Sequence, residues 1–229
     1  MPPEKNKGTY AALDKAKLNQ QKYKYYLKLD IRKYFDSIDH KVLFNLLKTK
    51  FKDKALLNIF LQIIDSYHTQ KEKGLPIGNL TSQYFANFYL SFADRYLLQE
   101  LKISAYVRYM DDMVLWSNNK EELKLKGEKF TKYLKDNLQL NLKTFVLNTN
   151  LHGLNFLGYR IFDNKTLLNK TSKKRFETKV EKYTHYLETE FWSQQVFQNH
   201  IIPLIEFTKH AESFCLRKEI FNKDNNRGL

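Results

Sequence analysis

Two adjacent carboxylates, Asp111 and Asp112, stand between two apolar, β-prone runs at residues 103–107 and 113–116. That pattern predicts a β-hairpin with both acids at its tip. Acids at a tip can simply solvate a turn, but a third acid alters the reading. Asp30 lies inside the apolar, strand-like run Leu27-Lys28-Leu29-Asp30-Ile31. An aspartate in a buried strand is costly unless it is paired or binds a metal. Three carboxylates on neighbouring strands make a hard, all-oxygen ligand set suited to Mg²⁺ or Mn²⁺. Two such ions about 3.5–4 Å apart activate one oxygen and stabilise another during in-line displacement at phosphorus.

The elements that must position these acids follow from periodicity. Residues 24–31 read as a strand. Asp39 can cap a helix beginning near His40, with Val42, Leu43, Leu46 and Leu47 on its apolar face. Helical period continues over residues 55–67. Gly74, Pro76 and Gly78 mark a loop at 74–79, after which Thr81 or Ser82 caps a helix predicted over 83–101. A Lys/Glu-rich helix is predicted at 121–137, a second hairpin from residues 154–162 and 166–168, and basic helices from Ser172 onward. No complete folding unit is visible in residues 1–24. Strands alternating with helices in this order predict an α+β domain with an antiparallel sheet and helices on one face.

Composition limits the function classes. The chain has 229 residues, 42% hydrophobic and 15% aromatic, which suits a folded protein with a real core. The net charge of +14 favours a polyanionic partner. Lysine outnumbers arginine, which suits phosphate contacts more than base-edge reading. The single cysteine, Cys215, excludes an intramolecular disulfide and favours a reducing, cytoplasmic compartment. No apolar run reaches the roughly 20 residues of a membrane span, and no secretory signal is recognisable at Met1.

Four blocks then carry a family resemblance. Lys28-Leu-Asp-Ile-Arg-Lys-Tyr-Phe-Asp-Ser-Ile-Asp39 resembles polymerase motif A, and Gly74-Leu-Pro-Ile-Gly-Asn-Leu-Thr-Ser-Gln83 resembles motif B. Tyr106-Val-Arg-Tyr-Met-Asp-Asp112 resembles motif C, and Phe156-Leu-Gly-Tyr-Arg-Ile-Phe162 resembles the primer-grip hairpin. In this order they resemble a bacterial retroelement reverse transcriptase, an RNA-directed DNA polymerase. The nearest likeness is to the diversity-generating retroelement type, because Ile77 and Gln83 stand where most other reverse transcriptases have Gln and Pro.

The resemblance implies a polymerase palm, ferredoxin-like, with partial fingers and a helical thumb. Residues 1–24 would be a remnant of the fingers. Residues 25–168 would be the palm with inserted fingers helices at about 41–78, and residues 169–229 the thumb. The upstream fingers strands of the family are absent from this sequence, which makes the chain resemble an N-terminally truncated member. Two Mg²⁺ ions, or Mn²⁺, would be held by Asp30, Asp111, Asp112 and the Ile31 backbone. Phe35 would be the steric gate that excludes a 2′-hydroxyl; spacing alone makes it core. Ile77, Gly78, Tyr109 and Met110 would contact the incoming nucleotide or primer end. Phe156, Leu157, Gly158 and Tyr159 would hold the primer. Lys173, Lys174, Arg175, Lys179 and Lys182 would track phosphates, although such a run can equally be a solvated face. Lys143 reads as solvated, with proton donation to pyrophosphate as the alternative. The implied partners are an RNA template and primer, deoxynucleoside triphosphates and a small basic accessory protein. The alternative is a nucleic-acid-binding remnant with impaired catalysis.

Overall fold

The computed structural model describes residues 8–225. Residues 1–7, part of the stretch expected to be a fingers remnant, lie outside the described residues. Two compact units divide the chain. One contains the residues up to Ala12 with Tyr23–Thr149, and the other contains Leu13–Lys22 with the residues from Asn150 onward.

Within the stretch where the sequence shows no complete folding unit, Thr9–Lys22 forms helix α1. Ala, Leu and Lys give it good helix propensity. Its buried stripe is only Leu13, Ala16 and Gln20, so narrow that hydrophobic periodicity conceals it.

In the first unit, β1 (Tyr25–Ile31), β2 (Ala105–Tyr109), β3 (Asp112–Ser117) and β4 (Leu142–Thr149) form an antiparallel sheet ordered β2-β3-β1-β4. Helices α2 (Tyr34–Ser37), α3 (His40–Lys50), α4 (Lys54–Asp65) and α5 (Leu80–Arg95) lie between β1 and β2, and α6 (Lys120–Leu138) precedes β4. This is the order of a ferredoxin-like split β-α-β unit, as expected for a palm. Period-two alternation sends Leu27, Leu29 and Ile31 into a core with Met113, Leu115, Phe85, Tyr89, Phe130 and Leu134. Lys28 and Asp30 therefore share the opposite face of β1.

Helix starts follow side-chain chemistry. The Asp39 carboxylate accepts from Val42 N, as predicted for a cap at that position. The α5 cap differs from the expectation. Asn79 fills it, its Oδ1 accepting from Thr81 N at 3.2 Å and from Thr81 Oγ1 at 2.9 Å. The Thr81 hydroxyl is thus spent on Asn79, and Ser82 is buried. After Arg95 the helix widens into a π turn, Tyr96–Glu100, where Tyr96 stacks on Tyr133 with ring centroids 4.0 Å apart.

In the second unit, β5 (Leu154–Phe156), β6 (Tyr159–Ile161) and β7 (Thr166–Leu168) form a three-stranded meander. Helices α7 (Lys170–Glu188), α8 (Gln194–Lys209) and α9 (Phe214–Asn225) follow, around a small core of Phe176, Val180, Ile201 and Ile220. Among the described residues, no helix is long and apolar enough to cross a membrane.

Candidate active site

The carboxylates converge because β1 and β3 are neighbours. Asp30 and Asp112 are direct cross-strand partners, and Asp112 also pairs with Tyr109 of β2. The two residues between Tyr109 and Asp112 close the hairpin, so Asp111 occupies its tip as predicted, whereas Asp112, also expected at the tip, is the first paired residue of β3. Met110 turns the chain with a left-handed φ of 56°. A non-glycine residue pays for that conformation, and such strain persists only where its surroundings enforce it. Ile31 pairs with Leu142 of β4 immediately after a register shift at Asp30/Ile31.

Two lysines sit against the acids. Lys28 Nζ lies 3.1 Å from Asp112 Oδ1 and donates to Oδ2 at 3.2 Å. Lys143 Nζ lies 3.8 Å from Asp30 Oδ2. Sequence reasoning missed Lys28; alternation along β1, which sets it two residues before Asp30, was the available signal. Burial pushes the Asp112 carboxyl up to about 6, against the opposing Lys28, with Asp30 and Asp111 adding repulsion. Burial, then the Asp30 charge, also raises Asp111, against a backbone hydrogen bond and Lys143. Asp112 Oδ1 is buried without an aligned hydrogen-bond donor. As they stand, no three His, Cys, Asp or Glu side chains among the described residues form a ready-made metal cluster. Two lysines leave the three carboxylates only partly balanced, and an acceptor-only set of mutually repelling carboxylates fits a divalent cation.

A stability consequence follows for metal-free protein. The folded state holds the Asp112 proton more tightly than the unfolded chain, so the group's contribution is most favourable below about pH 4 and is lost as pH rises through about 6. In EDTA, the stability of wild type relative to Asp112→Asn should fall by roughly 2 kcal/mol from pH 4 to pH 7. Thermal melts of both proteins across that range measure it. A pH-independent difference would show that Asp112 carries no such penalty.

The turn is held from behind by a network that sequence reasoning missed. Arg108 forks onto Asp94 of α5, Nε to Oδ1 at 2.8 Å and Nη2 to Oδ2 at 2.6 Å. Its Nη1 donates to the Met110 carbonyl at 3.0 Å and to Asn87 Oδ1 at 3.2 Å. Tyr106 donates to Asp94 Oδ1 at 2.8 Å, and Thr9 donates to the Tyr109 hydroxyl at 2.9 Å. Burial disfavours the Arg108 charge, but the hydrogen bonds and charge of Asp94 outweigh it and raise its pKa. Arg108 was visible only as a charged residue in an otherwise apolar strand. Its partner, 14 residues earlier, was not.

The loop at residues 74–79 is strapped to the residues that follow β1. Gly74 N donates to the Ile38 carbonyl and Leu75 N to the Phe35 carbonyl, both at 2.9 Å. His40, buried, bonds the Gly74 carbonyl through Nε2 at 2.6 Å. Tyr34 is buried and donates to the Ala86 carbonyl, while Phe35 is half-buried and packs edge-on to Tyr34. Ile77 is 77% exposed. Gly78 follows with φ 92°, a conformation that needs glycine.

The remaining predicted residues lie in the second unit. Leu157 and Gly158 have φ of 51° and 91°, the pair of positive values that a type I′ hairpin turn demands. Phe156 and Tyr159 are buried, and Tyr159 donates to the Phe207 carbonyl at 2.7 Å. The half-exposed turn is what remains accessible. A Cβ at Gly158 would lie 2.8 Å from the Phe207 ring and 2.9 Å from Ser172 Oγ, so the turn packs too tightly for a side chain. On α7, Lys174, Arg175 and Lys182 are exposed and Lys179 is half-buried, whereas Lys173 lies 3.9 Å from Glu177.

Comparison with known proteins gives a consistent result. The model of the reverse transcriptase (RNA-dependent DNA polymerase) family matches residues 3–161. The Retron Ec73 reverse transcriptase of Escherichia coli is 32% identical over 139 residues, 55% of this chain and 44% of that protein. The Retron Ec83 reverse transcriptase of Escherichia coli is 26% identical over 212 residues, 87% of this chain and 66% of that protein. The chain thus spans less than two thirds of each. Among solved structures, telomerase from Candida tropicalis, in complex with a fragment of telomeric RNA, aligns over 87% of this chain and 40% of its own, with TM-score 0.54 at 12% identity. Telomerase from Candida albicans, also in complex with telomeric RNA, aligns over 77% and 38%, with TM-score 0.53 at 15% identity. At such identities these two structures establish likeness of fold alone.

Proposed function

The chain belongs to the reverse transcriptase (RNA-dependent DNA polymerase) family, and from that premise we propose that it extends a primer on an RNA template with deoxynucleotides. The observation that carries the reading is the meeting of Asp30, Asp111 and Asp112 on adjacent strands at one end of the sheet. Mg²⁺ or Mn²⁺, as a pair of ions, would be held there by the three carboxylates and the Ile31 carbonyl. Such ions lower the pKa of the primer 3′-hydroxyl and neutralise charge on the triphosphate. Lys28 and Lys143 offset part of the carboxylate repulsion in their absence.

The other roles are those of this chain's own side chains. Phe35, fixed through its carbonyl to Leu75, excludes a 2′-hydroxyl from the nucleotide site. Tyr109 and Met110 abut the primer end, and Gly78 lets a nucleotide approach the backbone. The 156–159 hairpin holds the primer strand through its exposed turn. Lys174, Arg175, Lys179 and Lys182 bind phosphates along α7, with Lys173 as an outlying member. Primer extension on an RNA template with Mg²⁺ and deoxynucleotides tests the reading. Salt-dependent template–primer binding without extension would replace it with a binding function.

The finer assignment to the diversity-generating type rests on Ile77 in motif B, and it brings a small basic accessory protein as partner. An exposed Ile offers a base only apolar contact, whereas Gln would donate and accept hydrogen bonds. Ile77→Gln should lower misincorporation about 2–10-fold, the value of one hydrogen bond. Sequencing of extension products measures it, and an unchanged error spectrum would remove Ile77 from base selection.

A further inference from the structure

At the C-terminal end of α7, five rings gather. Trp192 stacks on His200 with centroids 4.4 Å apart and lies 4.9 Å from Tyr186 and 5.0 Å from Tyr183. Phe191 lies 5.0 Å from Tyr186 and is 71% exposed. A large apolar ring so open to water is not there for the unit's own core, which is built from Phe176, Val180, Ile201 and Ile220.

The cluster ends a basic stripe. Arg175, Lys179, Lys182 and Tyr186 follow at spacings of four, three and four residues, so they form one row along about 16 Å of helix. Lys182 Nζ lies 5.3 Å from the Tyr186 ring centroid. Lys170, Thr171, Lys174, Arg175, Thr178 and Lys179 line an open groove of about 560 Å³ at the other end of the row. The acids of α7, Glu177, Glu181 and Glu188, occupy the opposite side at 3.6 residues per turn. Glu190, in the turn before Phe191, is exposed and solvated. Segregated cations leading to open aromatic rings suit a chain that has both phosphates and unpaired bases.

We infer that the α7–α8 corner is a stacking platform for single-stranded RNA, with Phe191 and Tyr186 receiving unpaired bases and Arg175, Lys179 and Lys182 holding the phosphates that lead to them. The inference rests on the nucleic-acid-binding part of the proposed function and adds a preference for unpaired over duplex nucleic acid. Duplex bases are already stacked on one another and offer no face to these rings.

The test is fluorescence anisotropy of the full chain, without nucleotide and in EDTA, on two labelled probes. One is a 12-nucleotide unstructured RNA and the other a blunt RNA–DNA duplex of equal length. Tyr186→Ala and Phe191→Ala should each weaken binding of the single strand about 5–50-fold, with duplex affinity held within about twofold, as loss of a stacking ring requires. Phe191→Tyr, which keeps the ring, should bind as wild type. The single strand should also quench tryptophan fluorescence. Of the two tryptophans, Trp116 is fully buried, so the quenching reports Trp192. Equal loss on both probes, or no loss on the single strand, would overturn the inference; the latter would leave the rings as a protein-contact surface. Because the assay needs neither metal nor nucleotide, failure of primer extension leaves its outcome intact.

Discussion

Asp111→Asn is expected to lower primer extension on an RNA template by at least about 10³-fold, the scale on which a preorganised charged group contributes to an active site. Circular dichroism and template–primer affinity should be unchanged. The separation is possible because Asp111 belongs to no core. It sits half-exposed at the hairpin tip, and its charge is disfavoured by burial and by Asp30. Removing the charge costs the fold nothing and relieves repulsion, so a melting temperature equal to or above that of wild type is part of the expectation. Lost extension with an intact fold would place Asp111 in the chemistry. Extension retained within tenfold would take Asp111 out of the reacting centre and leave the hairpin tip as a solvated turn.

The second large effect is expected at Arg108, which touches no substrate in the proposed reaction. Its guanidinium joins Asp94 on α5 to the Met110 carbonyl in the turn. A lysine has one ammonium point in place of three branches, so Arg108→Lys can keep the ion pair with Asp94 or the bond to the turn, not both. Without the latter, the turn loses the guanidinium bond that holds the Met110 carbonyl in its left-handed conformation, and Asp111 loses its direction. An outer partner of a reacting group is worth about 10–100-fold in rate. The expectation for Arg108→Lys is a fall of that size in kcat with KM for the nucleotide within about threefold. Arg108→Ala leaves Asp94 and Tyr106 with an unpaired, mostly buried acid, and should add a stability loss of about 2–4 kcal/mol. Thermal melts beside single-turnover rates distinguish a positioning role from a structural one. If Arg108→Lys loses stability while activity per folded molecule is unchanged, the network serves the fold alone.

Much of this architecture was legible along the chain because it depends on local rules. The apolar, β-prone runs at residues 103–107 and 113–116 specified a hairpin and put Asp111 at its tip. The apolar run around Asp30 specified a strand, and Asp39 specified a helix start. The order of strands and helices sufficed for an antiparallel α+β domain. Local rules failed where two residues competed for one role, as when Asn79 took the α5 cap from Thr81. They failed again in α1, where strong propensity was hidden by a narrow buried stripe.

What tertiary structure decided is which residues face one another. Nothing local indicates that β1 inserts between β3 and β4, yet that order makes Asp30 the partner of Asp112 and sets Lys28 and Lys143 against the acids. The Asp94–Arg108–Met110 link joins a helix to a strand that a period reads separately. The raised pKa values of Asp111 and Asp112 arise from burial and from neighbours distant in sequence. Residue type and spacing thus determined which groups could do chemistry. Pairing of distant strands decided their mutual distances, their partners and their charge, because electrostatic and hydrogen-bond energies depend on separation in space and not along the chain.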